Sequence, residues 1–401
     1  MNAADTTFII ICAAMVMLMT PALALFYGGL VRSRNVLSTI MHSFTMMGLV
    51  PVVWVVVGYS LAFGGDVGGL IGDFSHVMLA GVGLEPGEAA TIPHALFMVF
   101  QCMFAVLTLA LISGSYAERI HFPAMVLFSG LWLICVYCPM AHWVWGGGWL
   151  AELGAVDFAG GAVVHMASAA GGLAAAHALG SRLGLGSKSF APHNLPLTLF
   201  GGGLLWFGWF GFNAGSALAA NGLAVHAFMT TQVAAASGVL GWLAMEWRHA
   251  GKPTTLGAAS GALAGLVAIT PAAGFVSVGW ALIIGIIGGF VCYLGVLLKN
   301  RMGYDDALDV VGIHGIGGTW GALATGLFAS ATINGVDGLL YGNAGQFVVQ
   351  AVSVVATWGY VYVVSRALLV LVDKAVGLRV APDPEISGLD VSEHNERAYQ
   401  L

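Results

Sequence analysis

The sequence predicts an all-α polytopic membrane protein with eleven transmembrane helices, arranged as an inverted five-helix repeat plus an eleventh helix. Three observations carry that reading. Of 401 residues, 59% are hydrophobic and only 8% are charged, whereas a soluble domain carries roughly 25% charged residues. Long apolar runs recur from end to end, and a run of about 20 apolar residues spans a bilayer. When the runs are counted as crossings, all 13 Lys and Arg fall on one side.

The crossings follow in order. Run 7–30 is followed by Arg32 and Arg34, and 39–63 returns to the far side. Run 93–114 leads to Arg119, and 122–142 returns again. Run 161–180 is followed by Arg182 and Lys188, then 195–218 crosses back. Run 226–247 ends near Arg248 and Lys252, and 256–273 crosses back. Run 277–298 leads to Lys299 and Arg301, and 309–329 crosses back. The last run, 345–372, ends among Arg366, Lys374, Arg379 and Arg397. The positive-inside rule makes the basic side cytoplasmic. The N-terminus is then outside and the C-terminus inside the cell membrane, the inner membrane where a cell has two.

The other side carries acids alone: Asp5, Asp66, Asp73, Glu85, Glu88, Glu152, Asp157 and Asp337. A negative outer face attracts cations. Residues 1–372 read as one membrane domain with repeat halves of about 7–180 and 195–329, and 373–401 as a cytoplasmic tail.

Glycine is abundant, 58 residues, and sits inside apolar runs such as Gly201–Gly203 and Gly285–Gly289. Small residues there let transmembrane helices approach closely. The five cysteines, Cys12, Cys102, Cys135, Cys138 and Cys292, lie in apolar runs and read as free thiols. Met1–Asp5 leads straight into a span, so no cleavable signal peptide is expected.

Two segments repeat a pattern. Asp157-Phe-Ala-Gly-Gly-Ala-Val-Val-His165 and Asp306-Ala-Leu-Asp309-Val-Val-Gly-Ile-His314 each place an Asp eight residues before a His. Each His then enters a stretch of small residues, and the two lie five crossings apart, running in opposite directions. Inverted repeats of this kind place transporter sites near the midplane where the halves meet.

A histidine within a span is costly and faces a cavity or a partner. One such His reads equally well as a packing hydrogen bond. Two at matched repeat positions favour function, with a proton shared between rings. Neither has a Cys or third His at ligand spacing, so no metal and no other cofactor is expected. Trp143-Val-Trp145-Gly-Gly-Gly-Trp149 reads either as an interfacial belt or as a cation–π surface at a pore mouth. Asp157, on the same side, reads as the cap of the next helix and as a charge close to a bound cation. Trp206-Phe-Gly-Trp209-Phe-Gly-Phe212-Asn213-Ala-Gly-Ser216 and Phe100-Gln-Cys-Met-Phe104 are ambiguous by composition alone.

With those residues in place, the chain resembles the ammonium transporter (Amt/MEP/Rh) family, which includes the Rhesus glycoproteins, and within it the bacterial AmtB-like branch. The resemblance rests on Ala24-Leu-Phe-Tyr-Gly-Gly-Leu-Val-Arg32, Ala117-Glu-Arg119, His142-Trp-Val-Trp145-Gly-Gly-Gly, Asp157-Phe-Ala-Gly-Gly, Gly208-Trp-Phe-Gly-Phe-Asn-Ala-Gly-Ser216 and Asp309-Val-Val-Gly-Ile-His314-Gly. The tail motifs Gly377-Leu-Arg-Val380 and Gly388-Leu-Asp390 add the bacterial branch.

The resemblance implies roles residue by residue. Trp145, Ser216 and Phe104 match an outer substrate-binding site, with Asp157 the family's essential aspartate near it. Phe104 and Phe212 match the stacked pair that gates the pore. His165 and His314 match the twin histidines, and Trp209 a pore-lining tryptophan. It also implies a homotrimer with one pore per subunit and, at the cytoplasmic face, a PII signalling protein as partner.

The function expected is transport of ammonium: recruitment by cation–π contact, deprotonation, and conduction of ammonia through an apolar twin-histidine pore with net charge transfer. An ammonium sensor and an electroneutral ammonia gas channel are the rival readings. The tail is too short for a signalling domain, and Trp145 and the bacterial-type tail weigh against the gas channel. No nucleophile–base set, nucleotide loop or nucleic-acid-binding basic stretch is visible, so neither an enzyme nor a nucleic-acid binder is expected.

Overall fold

The computed structural model describes residues 1–87, 91–187 and 189–400; Glu88 and Lys188 lie outside the described residues. Among the described residues the fold is all-α apart from one hairpin of two-residue strands, Asp66–Val67 paired antiparallel with Ile71–Gly72, and two isolated bridges. Water is absent from a bilayer core, so each backbone N–H must find its carbonyl within its own segment, and helices result.

In chain order the long helices are α1 (Ala3–Leu30), α2 (Ser33–Phe63), α3 (His94–Tyr116), α4 (Phe122–Glu152), α5 (Gly161–Leu179), α6 (Leu195–Gly215) and α7 (Gly222–Ala250). They continue as α8 (Thr255–Ile269), α9 (Val278–Met302), α10 (311–328) and α11 (Ala344–Val376). Nine of these, among the described residues, are long and apolar enough to cross a membrane; α8 and α10 are shorter.

Side-chain caps set several starts. Asn2, Asn194, Asn221, Thr254, Ser277 and Asn343 each accept a backbone N–H from the first turn of α1, α6, α7, α8, α9 and α11. Those N–H groups have no partner within the helix. The apolar run of α8 extends to residue 273, yet the helix stops at Ile269. Pro271 has no N–H to continue it, and its carbonyl accepts the Phe158 N–H instead.

A proline is also accommodated inside α4. Pro139 cannot donate to the Cys135 carbonyl, four residues back. The Tyr360 hydroxyl of α11 donates to that carbonyl at 2.7 Å. The adjoining stretch, Leu133–Tyr137, is π-helical. Cys135 lies within this turn and Cys138 directly follows it; all five cysteines are free.

Helix contacts recur at an offset of five. Pairs α1–α2, α1–α3, α2–α3, α2–α4 and α3–α5 pack together. So do α6–α7, α6–α8, α7–α8, α7–α9 and α8–α10. Helices α1 and α6 pack most extensively on each other, and α11 lies against α5 and α10. Glycine permits the closest approaches: a Cβ at Gly201 would collide with the Phe26 backbone across the α1–α6 seam.

At the basic ends of the helices the loops are tied by buried ions. Glu118 accepts from Arg32 Nε at 2.9 Å, Asn35 Nδ2 at 2.8 Å and Arg182 Nη1 at 2.9 Å. These bonds hold Glu118 at φ 69°, a left-handed conformation uncommon for a side-chain-bearing residue. Arg182 also forks onto both oxygens of Asp305, at 2.8 and 2.9 Å. The tail folds back as two short helices, Pro382–Ser387 and Leu389–His394. Asp390 accepts the Ser38 N–H, and Asn35 accepts the Leu389 N–H.

Burial pushes the Glu118 and Asp305 carboxyls up, but the arginines outweigh it and hold both below their ordinary values of 4.5 and 3.8. A depressed carboxyl contributes stability that is fully present above its unfolded value and is lost as pH falls through its folded one. The unfolding midpoint in detergent should therefore hold down to about pH 4.5 and fall below it. Arg182→Gln, which removes the shared cation, should lower the midpoint at neutral pH and flatten the acid limb. Thermal scans between pH 7 and pH 3 check both.

Candidate functional site

The repeated spacing of Asp to His in the two segments is matched by a repeated local structure. Asp157 precedes the π-helical turn Gly161–Met166, and Asp306 precedes the π-helical turn Val311–Gly315. Asp157 accepts the N–H groups of Gly160, Gly161 and Ala162 at 2.7–2.8 Å. Asp306 accepts the Val311 N–H at 2.7 Å. A carboxylate at a helix start satisfies orphan donors and opposes the positive end of the dipole. Gly160 turns the chain at φ 114°, a conformation open to glycine.

The two turns carry His165 and His314 to one place. Both rings are buried, and their Nδ1 atoms stand 3.2 Å apart. One Nδ1 donates and the other accepts, so two neutral rings must take opposite tautomers. Among the described residues, His165 Nε2 has no hydrogen-bond partner. The ring of Trp209 lies along His165, centroids 5.3 Å apart, and its indole N–H donates to Thr270 Oγ1 at 2.9 Å.

Above this pair, toward the acidic loops, Phe104 and Phe212 stack with centroids 4.2 Å apart and planes 21° apart. Phe212 lies 6.1 Å from the His165 ring, centroid to centroid. Beyond the stack an open cavity of about 330 Å³ is lined by Phe104, Trp145, Ser216, Gln101, Phe158 and others. Trp145 stands edge-on to Phe104 at 6.0 Å. Its indole N–H donates to the Asp157 carbonyl at 2.9 Å. Ser216 Oγ donates to the Phe212 carbonyl at 2.8 Å, leaving its lone pairs free.

Below the pair, a narrow apolar slot of about 10 Å³ is lined by His314, Trp209, Leu23, Phe26, Tyr27 and other apolar residues. That volume is about one water-sized sphere. Aromatic cavity, stacked rings, paired imidazoles and apolar slot thus lie in one line.

All the sequence-derived candidates converge on this line, with one distinction. The Asp157 carboxylate does not line the outer cavity: its oxygens face backbone donors, and it reaches the cavity through Trp145. Sequence reading did not single out Gln101, Phe158 or the slot's lining other than His314 and Trp209. Gln101, a lone amide in an apolar run with its Oε1 unpartnered, was the available signal. The slot's aliphatic lining has no such mark. Among the described residues, no group of three or more His, Cys, Asp or Glu side chains converges as a metal site.

Comparison with known proteins bears on this arrangement. Residues 7–399 match the family model described as the Ammonium Transporter Family. An ammonium transporter of Bacillus subtilis is 55% identical over 404 residues, covering 100% of this chain and 99% of that protein. Ammonium transporter Amt1 of Archaeoglobus fulgidus is 47% identical, covering 100% of each. The crystal structure of Saccharomyces cerevisiae Mep2 superposes with a TM-score of 0.90 at 36% identity, covering 96% of this chain and 88% of that one. A structure described as a sensor Amt protein gives a TM-score of 0.91 at 29% identity, covering 98% of each.

Proposed function

Because the chain belongs to the ammonium transporter family, we propose that it transports ammonium across a membrane along the line from the Trp145 cavity to the His314 slot. The observation that carries this reading is the Nδ1–Nδ1 pair of His165 and His314, placed directly below a stacked aromatic closure.

The chemistry follows from the order of environments. Trp145 and Phe104 offer π-faces to a cation, and Ser216 offers hydroxyl lone pairs. Asp157 fixes Trp145 and the π-helical turn, and adds negative charge nearby. At the Phe104–Phe212 stack the path becomes apolar. Keeping a charge there without water is expensive, so the neutral form is favoured. Ammonium can release a proton and continue as ammonia; potassium, similar in size and equal in charge, cannot. Ammonia then passes His165, Trp209 and His314. The released proton passes to the His165–His314 pair, is relayed across their Nδ1–Nδ1 contact and returns to ammonia beyond it, so net charge crosses and transport is electrogenic.

The same reading extends to the architecture. Helices α1–α11 are eleven crossings: α8 and α10 are short because each is entered or left through a turn rather than a continued helix. The recurring contacts and the twin Asp–π-turn–His segments support two inverted halves, about 7–180 and 195–329, within a membrane domain of 1–372. The one-sided basic residues support an outside N-terminus and a cytoplasmic tail, 373–401, at the cell (inner) membrane. The tail motifs support placement in the bacterial branch, with a PII signalling protein as cytoplasmic partner. A homotrimer is what the family resemblance implies; Gln232, exposed on α7 and accepting from Trp206, favours contact with another copy over lipid without setting the number of copies.

Current measured on supported bilayers loaded with proteoliposomes tests the function. An ammonium pulse should evoke a transient current and an equal potassium pulse none. Uptake without current would make the protein a gas channel, binding without uptake a sensor, and equal potassium current would overturn the proposed selectivity.

A further inference from the structure

His142 lies in the last helical turn before Trp145, and its ring is fully buried. Both ring nitrogens meet acceptors. Nδ1 stands 3.0 Å from the Ala62 carbonyl of α2, and Nε2 stands 2.9 Å from Asp66 Oδ1 of the outer hairpin. A neutral imidazole has one N–H and one lone pair. In the neutral form, one lone pair would therefore face an acceptor in a place closed to water. Asp66 has no proton to offer in exchange. Its carboxylate is exposed, and the His142 and Gly69 N–H groups hold it below its ordinary value of 3.8. The end of the helix also favours a cation, because its last carbonyls carry partial negative charge.

The same two residues tie the Trp145 turn to the hairpin. Asp66 also accepts the Gly69 N–H at 2.8 Å, which closes the hairpin. The Gly69 carbonyl accepts the Trp149 N–H at 3.0 Å, and the Leu70 carbonyl accepts the Trp143 indole N–H at 2.8 Å. The His142 carbonyl accepts the Gly146 and Gly148 N–H groups. Gly146 packs so closely that a Cβ there would collide with His142 Nδ1 and the Ala62 carbonyl. The chain thus leaves Trp145 between the imidazole on one side and the hairpin on the other.

We propose that His142 is a buried imidazolium paired with Asp66, and that this ion pair is the positioning device for Trp145 at the outer ammonium site. The charge stands on the hydrogen bonds alone; the ligand, ammonium, rests on the function proposed above. The acidic outer face then holds one cation, a single turn before Trp145, and Asp66 offsets its charge before it can repel an incoming ion. The contrast with the pore is chemical. His165 and His314 serve each other as donor and acceptor, whereas both polar neighbours of the His142 ring accept.

The experiment is nuclear magnetic resonance of the full chain in nanodiscs, with nitrogen-labelled histidine and tryptophan, at about pH 8, where an ordinary histidine near 6.5 is neutral. His142, identified by the signal lost in His142→Gln, should show two protonated ring nitrogens. Asp66→Asn, whose amide can donate to a neutral ring, should reduce that to one. The Trp145 indole N–H, which donates to the Asp157 carbonyl and is identified by Trp145→Phe, reports the positioning. Its exchange with solvent should be at least about tenfold faster in Asp66→Ala, the loss of one charge-assisted bond. Asp66→Asn should recover most of that protection. In proteoliposomes the half-saturating ammonium should rise in the same order, with maximal current held within about twofold. A single protonated nitrogen on wild-type His142 would overturn the charge, and wild-type Trp145 exchange in Asp66→Ala would overturn the positioning role. A wild type that carries no ammonium current would overturn the transport function and leave both resonance readouts to decide the ion pair.

Discussion

Replacing His165 with aspartate should let potassium through. The wild-type pair holds no fixed negative charge, so a bare monovalent cation meets two imidazoles 3.2 Å apart and no carboxylate. A carboxylate at that depth attracts any monovalent cation, by about 4 kcal/mol at 4 Å with an effective dielectric of 20. Even a third of that attraction offsets tenfold in a rate or affinity. Potassium would then no longer depend on an exchangeable proton to pass. Ammonium-to-potassium current ratios in proteoliposomes should fall at least about tenfold from the wild-type value. An unchanged ratio would remove the histidines from proton handling and leave them as spacers of an apolar pore.

Replacing Asp157 with alanine should abolish transport. Its two oxygens satisfy the N–H groups of Gly160, Gly161 and Ala162, which open the turn carrying His165. Each buried donor left without a partner costs about 1–3 kcal/mol, and three are orphaned together. The turn would rewind, His165 would leave its place beside His314, and the main-chain carbonyl that orients Trp145, kept by alanine, would shift with the turn. Uptake should fall to background, with a lower unfolding midpoint. Asp157→Asn keeps an acceptor oxygen and the bulk, so it should insert and melt closer to wild type while transporting more slowly. Wild-type uptake and midpoint in the alanine variant would contradict the capping role.

Parts of this molecule are readable without coordinates because the solvent is severe. A bilayer leaves the backbone one local solution, so apolar runs translate into helices with most ends good to a few residues; α2 begins six residues before its run and α4 continues ten beyond its run. Asn2, Asn194 and Ser277 announce their starts. The Asp-to-His interval is visible because charge inside an apolar run is costly and therefore rare. Other features leave no local mark. Nothing in Gly161–Met166 separates a π-helical turn from an α-helical one, since the difference of one residue per turn is imposed by packing and the Asp157 cap. The meeting of Phe104 with Phe212 depends on how α3 and α6 are brought together, a long-range matter that aromatic content does not encode. The docking of the tail on Asn35 and Ser38 is hidden for the same reason: Leu389–His394 is a single short turn whose partner lies at the other end of the chain. The slot below His314 is lined by leucines indistinguishable from those facing lipid.

The Tyr360 hydroxyl that serves the Cys135 carbonyl has an evolutionary consequence. Pro139 created the vacancy, and Tyr360 closes it from another helix. The Tyr360 ring also packs on Trp143, centroids 4.5 Å apart, a contact that phenylalanine would keep, so the hydroxyl alone binds the two histories together. Where a descendant exchanges Pro139 for alanine, the carbonyl regains its helical donor and position 360 is released to drift toward phenylalanine. Where the proline stays, loss of the hydroxyl is penalised in every lineage. Across descendants the two positions should therefore vary as a couple, with the proline change first and the tyrosine change second.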